Sequence, residues 1–158
     1  MDIKDFLSFL HSNGLIHINR ITEDSEEGFI TRLKIQKYVY IAKYYGLNLN
    51  YEYDMYIYGP YSTKLAEDYY NIADVIKDDY STTKYIIPAE FNADKFLMDM
   101  KDKTAEWLEI ATTLLDIYDK YNDKVKTIRH VFKIKNSSYD YVYGVYEDLE
   151  RLSLLSTA

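Results

Sequence analysis

Lys34-Ile35-Gln36-Lys37-Tyr38-Val39-Tyr40-Ile41-Ala42, followed by Tyr56-Ile57-Tyr58-Gly59-Pro60-Tyr61-Ser62, decides how this chain is read. At 100° per residue, a helix from about residue 29 to 45 sets Arg32, Gln36 and Lys43 on one narrow strip. Leu33, Tyr40 and Tyr44 flank the strip on one side, and Ile35, Tyr38 and Ala42 flank it on the other. So wide an apolar surface predicts a central helix packed on two or more sides, ended by Gly46. Gln36 in such a helix needs a buried hydrogen-bond partner or an edge position.

Residues 51–58 alternate Tyr51, Tyr53, Met55 and Ile57 with Glu52, Asp54, Tyr56 and Tyr58, the period-two pattern of a strand. Gly59-Pro60 then breaks the strand and fixes a strand-to-helix corner. Ser62 caps a following helix in which Leu65, Tyr69, Ile72 and Ile76 share one face, opposite Glu67, Asp68, Asn71 and Asp74. Upstream, Asp2 caps a short amphipathic helix carrying Ile3, Phe6, Leu7 and Leu10, with Gly14 beyond its end. Residues 23–28 read as an acidic exposed loop. Lys84-Tyr85-Ile86-Ile87 before Pro88 reads as a second short strand. From Lys103 onward the pattern is helical, with faces marked by Trp107, Ala111, Leu114 and Tyr118, then Val125, Ile128 and Phe132, then Val142, Tyr146 and Leu149. No repeat or linker divides residues 1–158. The expectation is therefore a single compact domain, mostly α (α+β), with a small two- or three-stranded β element or wing.

With 158 residues a domain buries about 70 % of the surface its unfolded chain exposes, so no staple is required. Cysteine is absent, which removes disulfide and thiolate-zinc readings and fits a reducing, cytoplasmic setting. Met1-Asp2-Ile3-Lys4-Asp5 is unlike a signal peptide. No apolar run approaches the roughly 20 residues of a membrane span, so no membrane partner is expected. Nineteen tyrosines beside two prolines and five glycines serve interiors and partner surfaces equally well. Of those between residues 38 and 61, half or more are expected in the core, with Tyr58 and Tyr61 reaching solvent.

Catalytic machinery is not visible. His11, His17 and His130 match no familiar metal motif, no glycine-rich phosphate loop occurs, and no nucleophile sits in a triad-like context. Glu52 and Asp54 share a strand face, but solvent-facing positions explain them without acid-base chemistry. The chain is thus read as non-enzymatic, with no catalytic residue, metal site or cofactor.

Charge offers a second theme. Net charge is −7, yet residues 120–135 hold six basic side chains and one acid, a local +5. On a helix starting near Asp123, the side chains of Lys126, Arg129, His130 and Lys133 cluster opposite Ile128 and Val131. Together with the preceding helix and a turn at Tyr121-Asn122 they have the spacing of a helix-turn-helix. A solvated basic face explains the same residues. DNA-binding regulation through Lys126, Arg129 and Lys133 is therefore the alternative function, with nucleic acid the less favoured partner.

Taken as a pair, the two opening motifs resemble those of small prokaryotic proteins related to the Panacea antitoxin domain. There a helix with a Leu-Gln-Lys-Leu-x-Tyr pattern precedes a Tyr-Gly-Pro turn that opens another helix. Ile35-Gln36-Lys37 with Tyr40 matches the first part, and Tyr58-Gly59-Pro60 the second. Tyr56-Ile57-Tyr58 stands where that family has a Trp-containing approach, and Tyr61 where Val is frequent. The resemblance covers about a quarter of the chain. It implies a helical protein-interaction module, antitoxin-like, that neutralises or adapts a protein partner such as a toxin. The expected partner-binding residues are Gln36, Lys37, Tyr40, Tyr58, Pro60 and Tyr61, and a homodimer is left open.

Overall fold

The computed structural model describes residues 1–75 and 84–155. Among the described residues seven α-helices and one β-hairpin follow in order: α1 (Ile3–Ser12), α2 (Glu26–Ala42), β1 (Asp54–Tyr56), β2 (Gly59–Tyr61), α3 (Thr63–Val75), α4 (Ala93–Met100), α5 (Ala105–Tyr121), α6 (Lys124–Ile134) and α7 (Tyr139–Arg151). The class is mostly α with a small β element. No helix among the described residues is long and apolar enough to cross a membrane.

Local chemistry accounts for the helix ends. Asp2 accepts from the Asp5 amide at 2.8 Å while the Asp5 carboxylate reaches back to the Asp2 amide, a reciprocal capping box. Ser25 caps α2 through the Gly28 amide, and Glu26 and Glu27 sit in its first turn, where negative charge meets the positive end of the helix dipole. The expected acidic loop therefore ends at Ser25, because that cap turns its second half into helix. A short 3-10 turn, Lys43–Tyr45, extends α2 to Gly46, whose φ of +96° suits glycine and whose missing Cβ leaves room for the Glu90 carbonyl.

Every residue of α2 from Ile35 to Ala42 is buried, as its broad apolar surface predicted. α2 packs on α5 and β2, and α5 in turn contacts α6 and α7. Beside this, Phe6, Phe9, Phe91 and Phe96 form a ring cluster with centroids 5.6 to 6.2 Å apart. Fully burying one such side chain contributes about 1.5–3 kcal/mol.

Four sequence expectations need correction. The strand at residues 51–58 shrinks to Asp54–Tyr56, and Gly59-Pro60 is not a corner but the start of β2. The strands pair antiparallel with Tyr56 opposite Gly59, Met55 opposite Pro60 and Asp54 opposite Tyr61, leaving Ile57 and Tyr58 as a two-residue tip. Glu52 consequently lies outside the strand. Residues 84–87 are not a strand, and no third strand joins the hairpin among the described residues; Tyr85 instead packs edge-on against Phe9 and bonds Ser12 through its hydroxyl. On α6 the inward face is Thr127, Ile128 and Val131, while Val125 and Phe132 are exposed, because α6 meets both α5 and α7 and is rotated accordingly. Helix α4 lies in a region where no helix was expected. Ile76, placed on the α3 face from sequence, lies outside the described residues.

Candidate functional site

The Gln36-Lys37 pair ties the hairpin to the core. Gln36 Nε2 donates to the Ser62 carbonyl and Gln36 Oε1 accepts from the Ser62 amide, both at 2.9 Å, so the side chain pairs with backbone as a neighbouring strand would. Lys37 Nζ donates to the Pro60 carbonyl at 2.6 Å. From the other side, Lys135 at the C-terminal end of α6 donates through Nζ to the Ile57 carbonyl at 2.7 Å and lies 3.9 Å from Glu109 of α5. Four side-chain hydrogen bonds thus fix a hairpin of two three-residue strands, far too short to stand alone. Ser62 also caps α3 through the Leu65 amide.

Gly59 is a point of close approach. Its φ is +91°, and a Cβ there would come 2.7 Å from Thr113 Oγ1 and 3.3 Å from Lys37 Nζ. Only glycine meets both demands.

The cost of this arrangement is a buried charge cluster. Lys37 is 1 % exposed, and burial, reinforced by the nearby Lys135 charge and opposed by Glu109, pushes its amine down to about 7. Burial also lowers Lys135 against the pull of Glu109, and raises Glu109 against the pull of both lysines. Desolvation sets the direction of all three shifts, and the attraction between Glu109 and the two lysines only partly opposes it.

Over this interior lies a groove of about 240 Å³ lined by Phe29, Arg32 and Leu33 of α2, Tyr56, Tyr58 and Tyr61 of the hairpin, and Tyr69 and Tyr70 of α3, with Lys37 and Gly59 at its base. Its walls are edge-on or tilted ring pairs: Phe29 with Tyr58 at 5.2 Å, Tyr56 with Tyr61 at 5.1 Å, and Tyr69 with Tyr70 at 5.2 Å. Arg32 donates through Nη1 to the Ile21 and Glu23 carbonyls at 2.8 and 2.9 Å, and its guanidinium lies 5.9 Å from the Tyr70 ring centre. Ile57 at the hairpin tip is 83 % exposed, and Tyr56 and Tyr58 are about half exposed.

The six residues expected to bind a partner are thereby divided. Gln36, Lys37, Tyr40 and Pro60 are buried, so the sequence-based picture of Lys37 as a surface contact is corrected: the backbone carbonyl of Pro60 draws its amine inward. Tyr40 lies against α5, its hydroxyl 3.4 Å from Asp116. Tyr58 is exposed and Tyr61 half-buried, and Tyr56, not Tyr61, is the second open ring. Sequence reading missed Phe29, Arg32, Leu33, Tyr69 and Tyr70 as groove walls. The i, i+4 spacing of Arg32 and Gln36 on one polar strip was the available signal.

The basic residues of α6 occupy a different face. Lys126, Arg129 and Lys133 are exposed and, with Tyr121, His130 and Ile134, line a shallow depression of about 320 Å³. None of the three forms an ion pair among the described residues. Asn122 at φ +50° and the Asp123 cap make the tight turn from α5 into α6. Among the described residues no group of three or more metal-ligating side chains converges, and the His11 Nδ1 accepts from the Ile18 amide.

Comparison with known proteins places the chain. It is 30 % identical to the uncharacterized protein YwgA of Bacillus subtilis (strain 168), across 84 % of this chain and 94 % of that protein, and it belongs to the YwgA family. No family model and no solved structure matches it.

Proposed function

We propose that the chain is a non-enzymatic protein-interaction module, antitoxin-like in that it neutralises or adapts a protein partner, and that it grips this partner with the hairpin tip and the aromatic groove beside it. The observation that carries this is the pairing of an exposed aromatic tip with a fixed base: Ile57, Tyr56 and Tyr58 project from a hairpin held by Gln36, Lys37 and Lys135. Exposed rings on a rigid element bind with little ordering entropy left to lose, which is the physics of interface hot spots. The resemblance of both motifs to Panacea-related proteins supports the same reading. The buried lysine has a structural task in it, as an anchor for the hairpin.

The test is co-purification from nuclease-treated native lysate with the chain and with Ile57→Ser/Tyr58→Ala, whose side chains are exposed. A protein retained by the parent, lost with the folded variant and bound again when purified is the expected result. Identical protein profiles for parent and variant would remove the proposal.

A second reading rests on the α6 face. Lys126, Arg129 and Lys133, solvent-facing and without acidic partners among the described residues, would meet phosphates in a DNA-binding regulator. Replacing all three with Gln should then weaken duplex binding and flatten its salt dependence, and no duplex binding at low salt would exclude it.

A further inference from the structure

We propose that the groove is shaped and charged for one aromatic or large apolar side chain with a carboxylate beside it, presented by a segment of the protein partner; this deepens, and rests on, the docking proposal above. The charge pattern is the first observation. Arg32 and Lys37 line the groove and no Asp or Glu does, although acidic residues outnumber basic ones in the chain by 26 to 19. A positive site on an otherwise acidic molecule selects an anionic group and repels most other surfaces of the chain itself.

Geometry gives the second. Arg32 commits Nη1 to two backbone carbonyls, and its Nε and Nη2 make no hydrogen bond among the described residues. The guanidinium is thus fixed in place at the Tyr70 ring with donors to spare, the arrangement suited to a two-point bond to carboxylate.

Size supplies the third. About 240 Å³ falls below the roughly 300–1,000 Å³ of sites for larger ligands and fits one side chain. Walls made of three aromatic pairs favour a ring or a long apolar chain over a polar one.

The experiment is selection of random linear peptides displayed on phage against the full chain, with counter-selection on Ile57→Ser/Tyr58→Ala. Enriched peptides are expected to share an aromatic or large apolar residue with Asp or Glu beside it. Changing that acid to its amide should weaken binding about tenfold, equivalent to about 1.4 kcal/mol. Tyr70→Glu and Tyr70→Gln both remove one exposed wall ring, so the Glu variant should bind more weakly than the Gln variant by a comparable factor, the difference reading the added charge alone. Binders that depend on Tyr58 but carry no acid, or that ignore the charge at position 70, would overturn the carboxylate inference and leave the docking proposal standing. Failure to enrich any peptide dependent on Tyr58 would overturn both.

Discussion

Replacing Lys37 with Met tests the buried cluster directly, because the fold then no longer carries an amine whose proton affinity differs between folded and unfolded chain. In the unfolded chain this amine titrates at its ordinary 10.5, and in the fold at about 7. Below pH 7 both states hold the proton and the fold bears the full burial cost of the charge. Between 7 and 10.5 the unfolded chain binds a proton that the folded chain does not, so stability rises with pH. The whole gap is worth about 5 kcal/mol at about 1.36 kcal/mol per pH unit. About 3 kcal/mol of that falls between pH 7 and about pH 9.5, the span below the tyrosine range, since Tyr38, Tyr53 and Tyr69, all shifted upward by burial, oppose the trend only above 10. Lys135 and Lys43, lowered by burial in the same sense, add slopes of their own. Urea unfolding at a series of pH values, with the slope on denaturant constant, measures this free energy. The parent should gain about 3 kcal/mol or somewhat more across that span, and Lys37→Met should gain only the remainder from Lys135 and Lys43. Met also removes the donor to Pro60, so the pH slope and not the absolute stability decides. Equal slopes for parent and variant would refute the assignment of a buried, weakly basic amine to position 37.

Gly59→Ala should destabilise by about 1–3 kcal/mol, since it holds a non-glycine residue at φ +91° and sets a Cβ against Thr113; Thr113→Ala in the same chain should recover only the steric part, read by thermal or urea unfolding. Gln36→Leu removes both partners of the Ser62 amide and carbonyl, with an expected loss of about 1–3 kcal/mol for each buried group left unpaired and faster amide exchange at Ser62 by NMR. Thr127→Val should be neutral or raise stability by about 1 kcal/mol, because the buried Thr127 hydroxyl has no hydrogen-bond partner among the described residues; a clear loss in urea unfolding would show that the hydroxyl is satisfied.

Elements carrying their own periodicity and caps were legible. Asp2, Ser62 and Asp123 each stand where a side-chain oxygen can close the first turn, and each does. Breadth of the apolar surface around Ile35, Tyr38 and Tyr40 foretold that α2 runs through the interior. Alternation at residues 51–58 overstated the strand, because period two persists in an extended approach that pairs with nothing; only the partner strand decides where a ladder begins, and β2 is three residues long. The rotation of α6 was illegible for a related reason. Val125 and Phe132 are as apolar as Ile128, and the choice between faces is made by α5 and α7, not by α6 itself.

At the site, the decisive contact joins residues 78 positions apart: Lys135 reaches the Ile57 carbonyl across the fold. In sequence, Lys135 is one member of a basic run with no mark to separate it from the exposed Lys133. Its task follows from a demand of the hairpin, whose backbone carbonyls face the interior and whose two short strands can satisfy few of them. Apolar side chains would fill the same space but bond to none of those carbonyls, and a hairpin positioned by packing alone is free to slide. Lysine has the reach and the donor, at the cost of burying charge, which Glu109 beside the two of them partly offsets. The same bonds that fix Ile57 and Pro60 from beneath leave Tyr56 and Tyr58 facing outward in one arrangement. A motif that looks like a binding surface in sequence is therefore, in the fold, the support of an exposed hairpin tip. Substitutions at Gln36 or Lys37 should lower partner affinity only by loosening the tip, whereas those at Tyr58 should lower it with stability intact, and the ratio of the two effects separates support from contact.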